Sequence, residues 1–319
     1  MVLTFVLTHV IAPNPAAVWA GPHASKTQIQ AVISQYHLNQ PVYVQLYYYF
    51  IETFTFNFGF SQVFKLPVPT VIATYFPRTL ELDFLAITLS VVLGVFTGAF
   101  AAAHRNKTGD HGVRVFYLIT WSMPPFLVAL ILQYFLAYHW ILPPGQLANP
   151  GPPLPARVTG FITLDALIRG DWSFFTSSIW HLILPVLSLT LISFGIITRI
   201  TRASMLDALR TEYVRTAIMK GVGRRRAVYY HALKNSLIPV ITVIALTFAF
   251  LLAGSIVIEE VFSYQGIGYV IYQSLTNFDY PTLIAATIVI TIAVILINFV
   301  ADVLYAVVDP RVRFGGSQP

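Results

Sequence analysis

The residue types that most often carry bond-making chemistry are present in this chain but not assembled. His9, His104, His111, His139, His181 and His231 are scattered, and none stands in an H-E-x-x-H or similar ligand spacing. No Ser/His/Asp arrangement stands out. The run GPHASKT (Gly21–Thr27) ends like a phosphate-binding loop but lacks the second glycine before Lys26. There is no cysteine, which excludes disulfides, thiolate metal sites and a cysteine nucleophile in this chain. Two features remain. One is the segment Arg199–Asn235, which holds nine of the nineteen Lys and Arg residues. The other is the adjacent pair Glu259–Glu260 ahead of YQGIGY. Both suit recognition by charge and shape rather than covalent catalysis.

The basic segment reads RITRASMLDALRTEYVRTAIMKGVGRRRAVYYHALKN. Val214, Ala217, Ile218 and Gly221 fall on one face of a helix, and Glu212, Thr216 and Lys220 on another. Thr211 suits an N-cap, and Gly221 with Gly223 suits a stop. The spacing predicts a helix of roughly ten residues, a turn, the Arg224–Arg226 cluster, and a second helical stretch leading to Pro239. Two readings of the first helix stand side by side: an amphipathic helix held by anionic lipid, or a docking element for a partner protein.

The elements that position these residues follow from composition. Only 10% of the 319 residues are charged and 56% are hydrophobic, with a mean hydropathy of +0.71. An ordinary soluble domain has about a quarter charged, and disorder needs low hydrophobicity. The composition therefore points to a polytopic membrane protein. Five stretches have the roughly 20 apolar residues that a bilayer crossing requires: Thr79–Ala103, Val115–Tyr138, Ile179–Ile197, Ser236–Ile258 and Thr282–Val308. Fourteen of the nineteen basic residues fall in the loops on one side and in the tail. By the positive-inside rule that side, with the C-terminus, is cytoplasmic. This absorbs the net charge of +6 and removes the nucleic-acid reading of it.

The expected organisation is a shortened first membrane helix over 1–12, with a cleaved leader as the alternative reading. An external region over 13–78 follows, then a transmembrane domain over 79–313 that contains the cytoplasmic loop 199–235, and a tail over 314–319. Ile29, Val32, Ile33 and Tyr36 predict a short amphipathic helix over Thr27–Tyr36. PPGQLANPGPPLP, within 139–178, reads as an irregular external loop. Gly94-x-x-x-Gly98 permits close helix packing, either inside the chain or against a second subunit. Asp302 reads as snorkelling near the cytoplasmic end of the last span. Glu259 and Glu260 are expected to open an external loop.

The run EYVRTAIMKGVGRRRAVYYHALKNSLIPV (Glu212–Val240) resembles the "EAA" loop of permeases in binding-protein-dependent ABC importers. The dipeptide/oligopeptide/nickel branch, and its B-type permease, is the nearest resemblance. HLNQPVYVQ (His37–Gln45), FGFS (Phe58–Ser61), FPRTLEL (Phe76–Leu82), IVIEEVFSYQGIGY (Ile256–Tyr269), DYP (Asp279–Pro281) and DVLYAVVDPRVR (Asp302–Arg313) resemble further pieces of that branch, in order. The usual Gly-Asp before Pro near the end of the first helix appears here as APNP (Ala12–Pro15). Tyr213 and Val214 replace the alanines of the signature.

The resemblance implies an all-α ABC importer transmembrane domain with about six membrane helices. It implies no enzyme activity and no cofactor in this chain, with ATP and Mg bound by partner ATPase subunits. The other implied partners are a second, related permease and an extracytoplasmic substrate-binding protein. It assigns ATPase coupling to Glu212, Tyr213, Val214, Arg215, Ala217, Lys220, Gly221, Arg224 and Arg225, with the arginines open also to lipid headgroups. Glu259, Glu260, Gly266 and Gly268 become candidates for an outer gate or a binding-protein contact, against the reading of an ordinary loop. The implied cargo is di- or oligopeptides, with oligosaccharides or nickel as alternatives. An ion-driven secondary transporter is the competing class, and it would require intramembrane carboxylates in matched halves.

Overall fold

The computed structural model describes residues 5, 6, 16, 24–138, 142, 143 and 158–308. Most of the expected first helix, the Pro/Gly-rich run within 139–157 and the tail beyond 308 lie outside the described residues. Among the described residues the architecture is helical, apart from an isolated bridge between Phe60 and Pro67.

Two short helices come first, α1 (Lys26–Gln35) and α2 (Val42–Phe54). The expected helix α1 forms one residue early, because Ser25 and Gln28 make a reciprocal capping box. Helix α2 was not foreseen. Then come α3 (Val68–Ala103), α4 (Thr108–Ser122) and α5 (Pro125–Leu132, continued as a π-turn over Gln133–Ala137). Next are α6 (Ile162–Ile168), α7 (Trp172–Ala208) and α8 (Glu212–Met219). Helix α9 runs from Arg224 to Val261 with a π-helical stretch at Ala227–Ala232. Helices α10 (Ile267–Thr276) and α11 (Tyr280–Val308) complete the chain.

Four helices, α3, α7, α9 and α11, are long and apolar enough to cross a membrane. The expected span Val115–Tyr138 is instead two helices, α4 and α5, bent by 106°. The cause is Pro124–Pro125: neither residue can donate a backbone hydrogen bond, and each restricts the residue before it. Counted as one crossing, the bent pair makes five spans among the described residues. The long helices overrun their apolar windows. Helix α3 starts at Val68 rather than Thr79, and α7 continues to Ala208 rather than stopping at Ile197. The basic loop therefore shrinks to residues 209–223, and Arg199 and Arg202 ride on α7.

The most extensive packing joins α3 to α7. Its close approach needs Gly94 and Gly98. A β-carbon at Gly94 would lie 2.7 Å from the Ile197 side chain, and one at Gly98 would lie 2.7 Å from the Thr198 carbonyl oxygen. The small-residue motif therefore serves packing within the chain. Hydroxyls stitch the seam: Thr97 and Thr198 lie 3.0 Å apart, and Thr190 donates to the Ala86 carbonyl. Leu82, Ala86, Leu189, Ile197, Leu251 and Ile258 build the central core between α3, α7 and α9. Outward-facing Phe84, Phe96, Phe250 and Phe299 are exposed, as expected of surfaces that meet hydrocarbon or another subunit.

At the end of the bundle that carries α8, Arg202 grips Asp110 with two charge-assisted bonds, Nε–Oδ1 2.7 Å and Nη2–Oδ2 2.8 Å. The Asn106 amide also donates to this buried carboxylate. The pair ties the start of α4 to α7.

Gly98→Val should lower stability by about 1–3 kcal/mol through overpacking at the α3–α7 seam. A thermal midpoint in detergent unchanged from wild type would sink this account of the motif.

Candidate functional site

The coupling candidates sit on a short helix clamped at its C-terminus. Helix α8 spans eight residues. Val214 is its buried anchor, 1% exposed, and packs on Ala102, Met205, Ala227 and Val228. Glu212, Tyr213, Arg215 and Lys220 are exposed, and Ala217 is half-buried. Met219 is 77% exposed. Ile218, on the same expected face as Val214, is half-exposed. Glu212 and Arg215 pair at 3.3 Å on the exposed side. Thr211 is the N-cap residue of α8, as expected, but its hydroxyl donates back to the Ala208 carbonyl and makes no cap bond to the helix.

The stop at Gly221 is a Schellman motif. The Val222 amide donates to the Ala217 carbonyl and the Gly221 amide to that of Ile218. Gly221 takes φ +86°, a left-handed conformation that favours glycine. Arg224 and Arg225 follow, exposed, at the start of α9. Helix α8 thus presents a polar and apolar face outward and is joined to α9 through four residues, Lys220 to Gly223.

The second candidate group is built differently from the expectation. Glu259 and Glu260 do not open a loop; they belong to the last turn of α9. Glu259 is fully buried (0% exposed). It accepts the Thr79 hydroxyl at 2.5 Å and the Tyr269 amide at 3.0 Å. Thr79 in turn accepts from the Ile267 amide at 2.7 Å. Gly266 and Gly268 are buried against this carboxylate, and a β-carbon on Gly266 would fall 2.3 Å from the Thr79 hydroxyl oxygen. Arg78 donates to the Gln265 carbonyl, and the Tyr264 hydroxyl donates to the Arg78 carbonyl. Glu259, Gly266 and Gly268 therefore form a buried knot that seats α10 on α3 and α9. They do not form an exposed contact surface here.

The residues that complete this knot, Arg78, Thr79 and Tyr264, carried no assigned role in the sequence reading. The signal for Arg78 and Thr79 was a charged and polar run, FPRTLELD, at the head of an apolar stretch. Glu81 of the same run acts alike. Glu81 accepts the amides of Ile162 and Thr163 and the Thr163 hydroxyl, capping α6. Asp83, fully buried, has Ser255 and Glu259 as polar neighbours. Further along, Asp279 accepts from the Ser61 hydroxyl at 2.5 Å and from the Val63 amide. No group of His, Cys, Asp and Glu among the described residues could hold a metal ion.

Asp165 on α6 gathers the loop before it. Burial disfavours its charged form, but the Thr159 hydroxyl and the amides of Thr159, Val158 and Gly160 outweigh that cost. Together they hold the carboxyl below the usual carboxylate range.

Comparison with known proteins assigns the class. The chain belongs to the family described as binding-protein-dependent transport system inner membrane components, whose model matches residues 94–314. It is thus a multi-pass membrane permease subunit of an ABC importer. It is 37% identical over 318 residues to the probable D,D-dipeptide transport system permease protein DdpB of Escherichia coli K12, covering 99% of this chain and 94% of that protein. It is 36% identical to the dipeptide transport system permease protein DppB of Alkalihalophilus pseudofirmus, covering 98% and 94%. It is 35% identical to the glutathione transport system permease protein GsiC of Escherichia coli O1:K1, covering 98% and 93%. The fold is similar to a chain of the inward-facing MetNI methionine ABC transporter, with a TM-score of 0.55 at 16% identity over 73% of this chain and 93% of that one.

Two outcomes follow from this geometry. Thr79→Val removes one of two donors to the Glu259 carboxylate and leaves the Ile267 amide without its acceptor, and should cost about 1–3 kcal/mol. Thr79→Ser should restore most of it, and equal thermal midpoints for Val and Ser would refute the knot. Asp165 has a folded-state pKa below the unfolded value of about 3.9, so its contribution is complete above that pH and drains away as pH falls through and below it. Protection factors of the Val158, Thr159 and Gly160 amides should drop below about pH 4, and Asp165→Asn should already lack that protection at neutral pH.

Proposed function

We propose that this chain is one of two related permease subunits lining the translocation path of an ATP-driven importer of di- and oligopeptides in a prokaryotic plasma membrane. The observation that carries the substrate class is its end-to-end similarity to permeases named for dipeptide, D,D-dipeptide and glutathione transport. The distribution of basic residues supports a cytoplasmic α8 end and C-terminus, by the positive-inside rule. The α6/α10 end then faces the substrate-binding protein.

In this reading α8 is the coupling helix. Tyr213 and Met219 offer apolar area to a groove on the ATPase, and Glu212, Arg215, Lys220 and Arg225 make charged contacts at its rim. ATP and Mg bind the ATPase subunits. Their closure moves two such helices together, one from each permease. The Schellman turn passes the displacement to α9, whose far end carries Glu259 and Glu260. Those residues, with Gly266 and Gly268, anchor the outer gate: α10 moves as one body with the ends of α3 and α9. The energy comes from differential binding in the partner, which shifts an inward–outward equilibrium.

Gly221→Arg forces a β-carbon into a left-handed conformation, at a cost of about 1–2 kcal/mol, and places a charge beside the docking face. The variant should insert normally but lose ATPase co-purification and uptake. Undiminished co-purification would end the coupling assignment. For the substrate, proteoliposomes holding both permeases, the ATPases and the cognate binding protein should hydrolyse ATP faster with dipeptides. Stimulation by nickel or an oligosaccharide instead would reassign the cargo, and uptake driven by an ion gradient without ATP would overturn the class.

A further inference from the structure

A cavity of about 570 Å³ opens between α8 and the ends of α3, α7 and α9. Its volume is in the range of small-molecule sites. Arg105, Lys107, Arg210 and Arg224 stand around it, all exposed, and no carboxylate is among its lining residues. None of the four joins an ion pair among the described residues, in contrast to Arg114, Arg202 and Arg215. The floor is apolar: Leu209 of the α7–α8 turn, Val214 of α8 and Val228 of α9 lie over one hydrophobic cluster.

The geometry points to a binding site for an anionic phospholipid, with its phosphate among the four cations and the start of its acyl chains on the apolar floor. Three observations favour this occupant. Charge complementarity calls for an anion, and four cations lining one cavity without a carboxylate repel one another. A free phosphate would meet the cations but leave the apolar floor to water, whereas a lipid satisfies both. The cavity also lies where the apolar run of α3 ends, at Ala102 and Ala103, the level at which hydrocarbon gives way to headgroups. Val214 and Ile218 line it from α8, so the cavity lies on the side of α8 turned toward the membrane helices. The outward face carrying Tyr213 and Met219 stays available to a protein partner. The inference rests on the cytoplasmic placement of α8 proposed above, where anionic lipid is abundant. Its role is to brace the coupling helix against the bundle.

The test is native mass spectrometry of the complete purified complex, titrated with phosphatidylglycerol, phosphatidylcholine or inorganic phosphate. Phosphatidylglycerol should bind more tightly than phosphatidylcholine. Arg105→Gln with Arg210→Gln should weaken its binding by about fivefold per cation removed, and Lys107→Gln alone should have the single-step effect. Lys234→Gln, on an exposed cation outside the cavity, should bind as wild type does. All four side chains are exposed, so thermal midpoints should hold, and they are measured alongside. Equal binding of the two lipids, or unchanged binding in the double variant, would overturn the site. Displacement of the lipid by millimolar phosphate would reassign it to a soluble anion. Exclusion of lipid whenever the ATPase is bound would give the cavity to the protein partner. Because lipid binding is read without transport, its failure is distinguishable from failure of the coupling reading, which is scored by co-purification.

Discussion

A carboxylate near the end of a membrane helix has no bulk water to turn to, so it must find donors in its own chain. Glu81, Glu259 and Asp279 each solve that problem by binding a segment distant in sequence. Glu81 takes the start of α6, Glu259 takes Thr79 and the start of α10, and Asp279 takes the loop before α3. Remove those bonds and α6, α10 and the 61–63 turn lose their polar anchors, leaving apolar packing such as Ile267 and Val270 of α10 and Ile162 and Ala166 of α6. Glycine at 266 and 268 is part of the same solution, since any side chain there would occupy the space of the carboxylate.

The opposite end is organised by the same chemistry with a different result. One buried ion pair, Asp110–Arg202, fixes α4 to α7. Other cations of that end, among them Arg105, Lys107, Arg210 and the Arg224–Arg226 run, are left exposed. One end therefore uses buried carboxylates to hold its segments together, and the other keeps charge and one helix face available for contact with other molecules. That asymmetry is what a subunit needs if it is driven from one side.

Much of this was legible in the residues. Long apolar runs announced the spans, the spacing of Ile29, Val32, Ile33 and Tyr36 announced α1, and the Gly221 stop announced the end of α8. What was not legible has physical reasons. A hydropathy window ends where charge begins, but backbone hydrogen bonds continue, so α3 and α7 outran their apolar stretches and Glu259 was placed in a loop. Composition alone reads through Pro124–Pro125, although the missing donors there break the helix. Gly94 and Gly98 announce close packing but not its partner, because a small-residue face fits α7 and a second subunit equally well. The motifs FGFS, FPRTLEL, EEVFSYQGIGY and DYP stood far apart in the chain, and only the fold shows that they bond to one another in pairs.

Helix α9 is a single 38-residue rod, about 57 Å long at 1.5 Å per residue. Its first turns adjoin the Gly221 stop, and its last turn is pinned through Glu259. Near its α8 end lies the π-helical stretch Ala227–Ala232, whose i→i+5 bonds make a wider turn than the α-helix on either side. Under the coupling role proposed for α8, that wider turn is the joint through which any displacement of α8 must pass before it reaches the α-helical remainder of the rod and the Glu259 end.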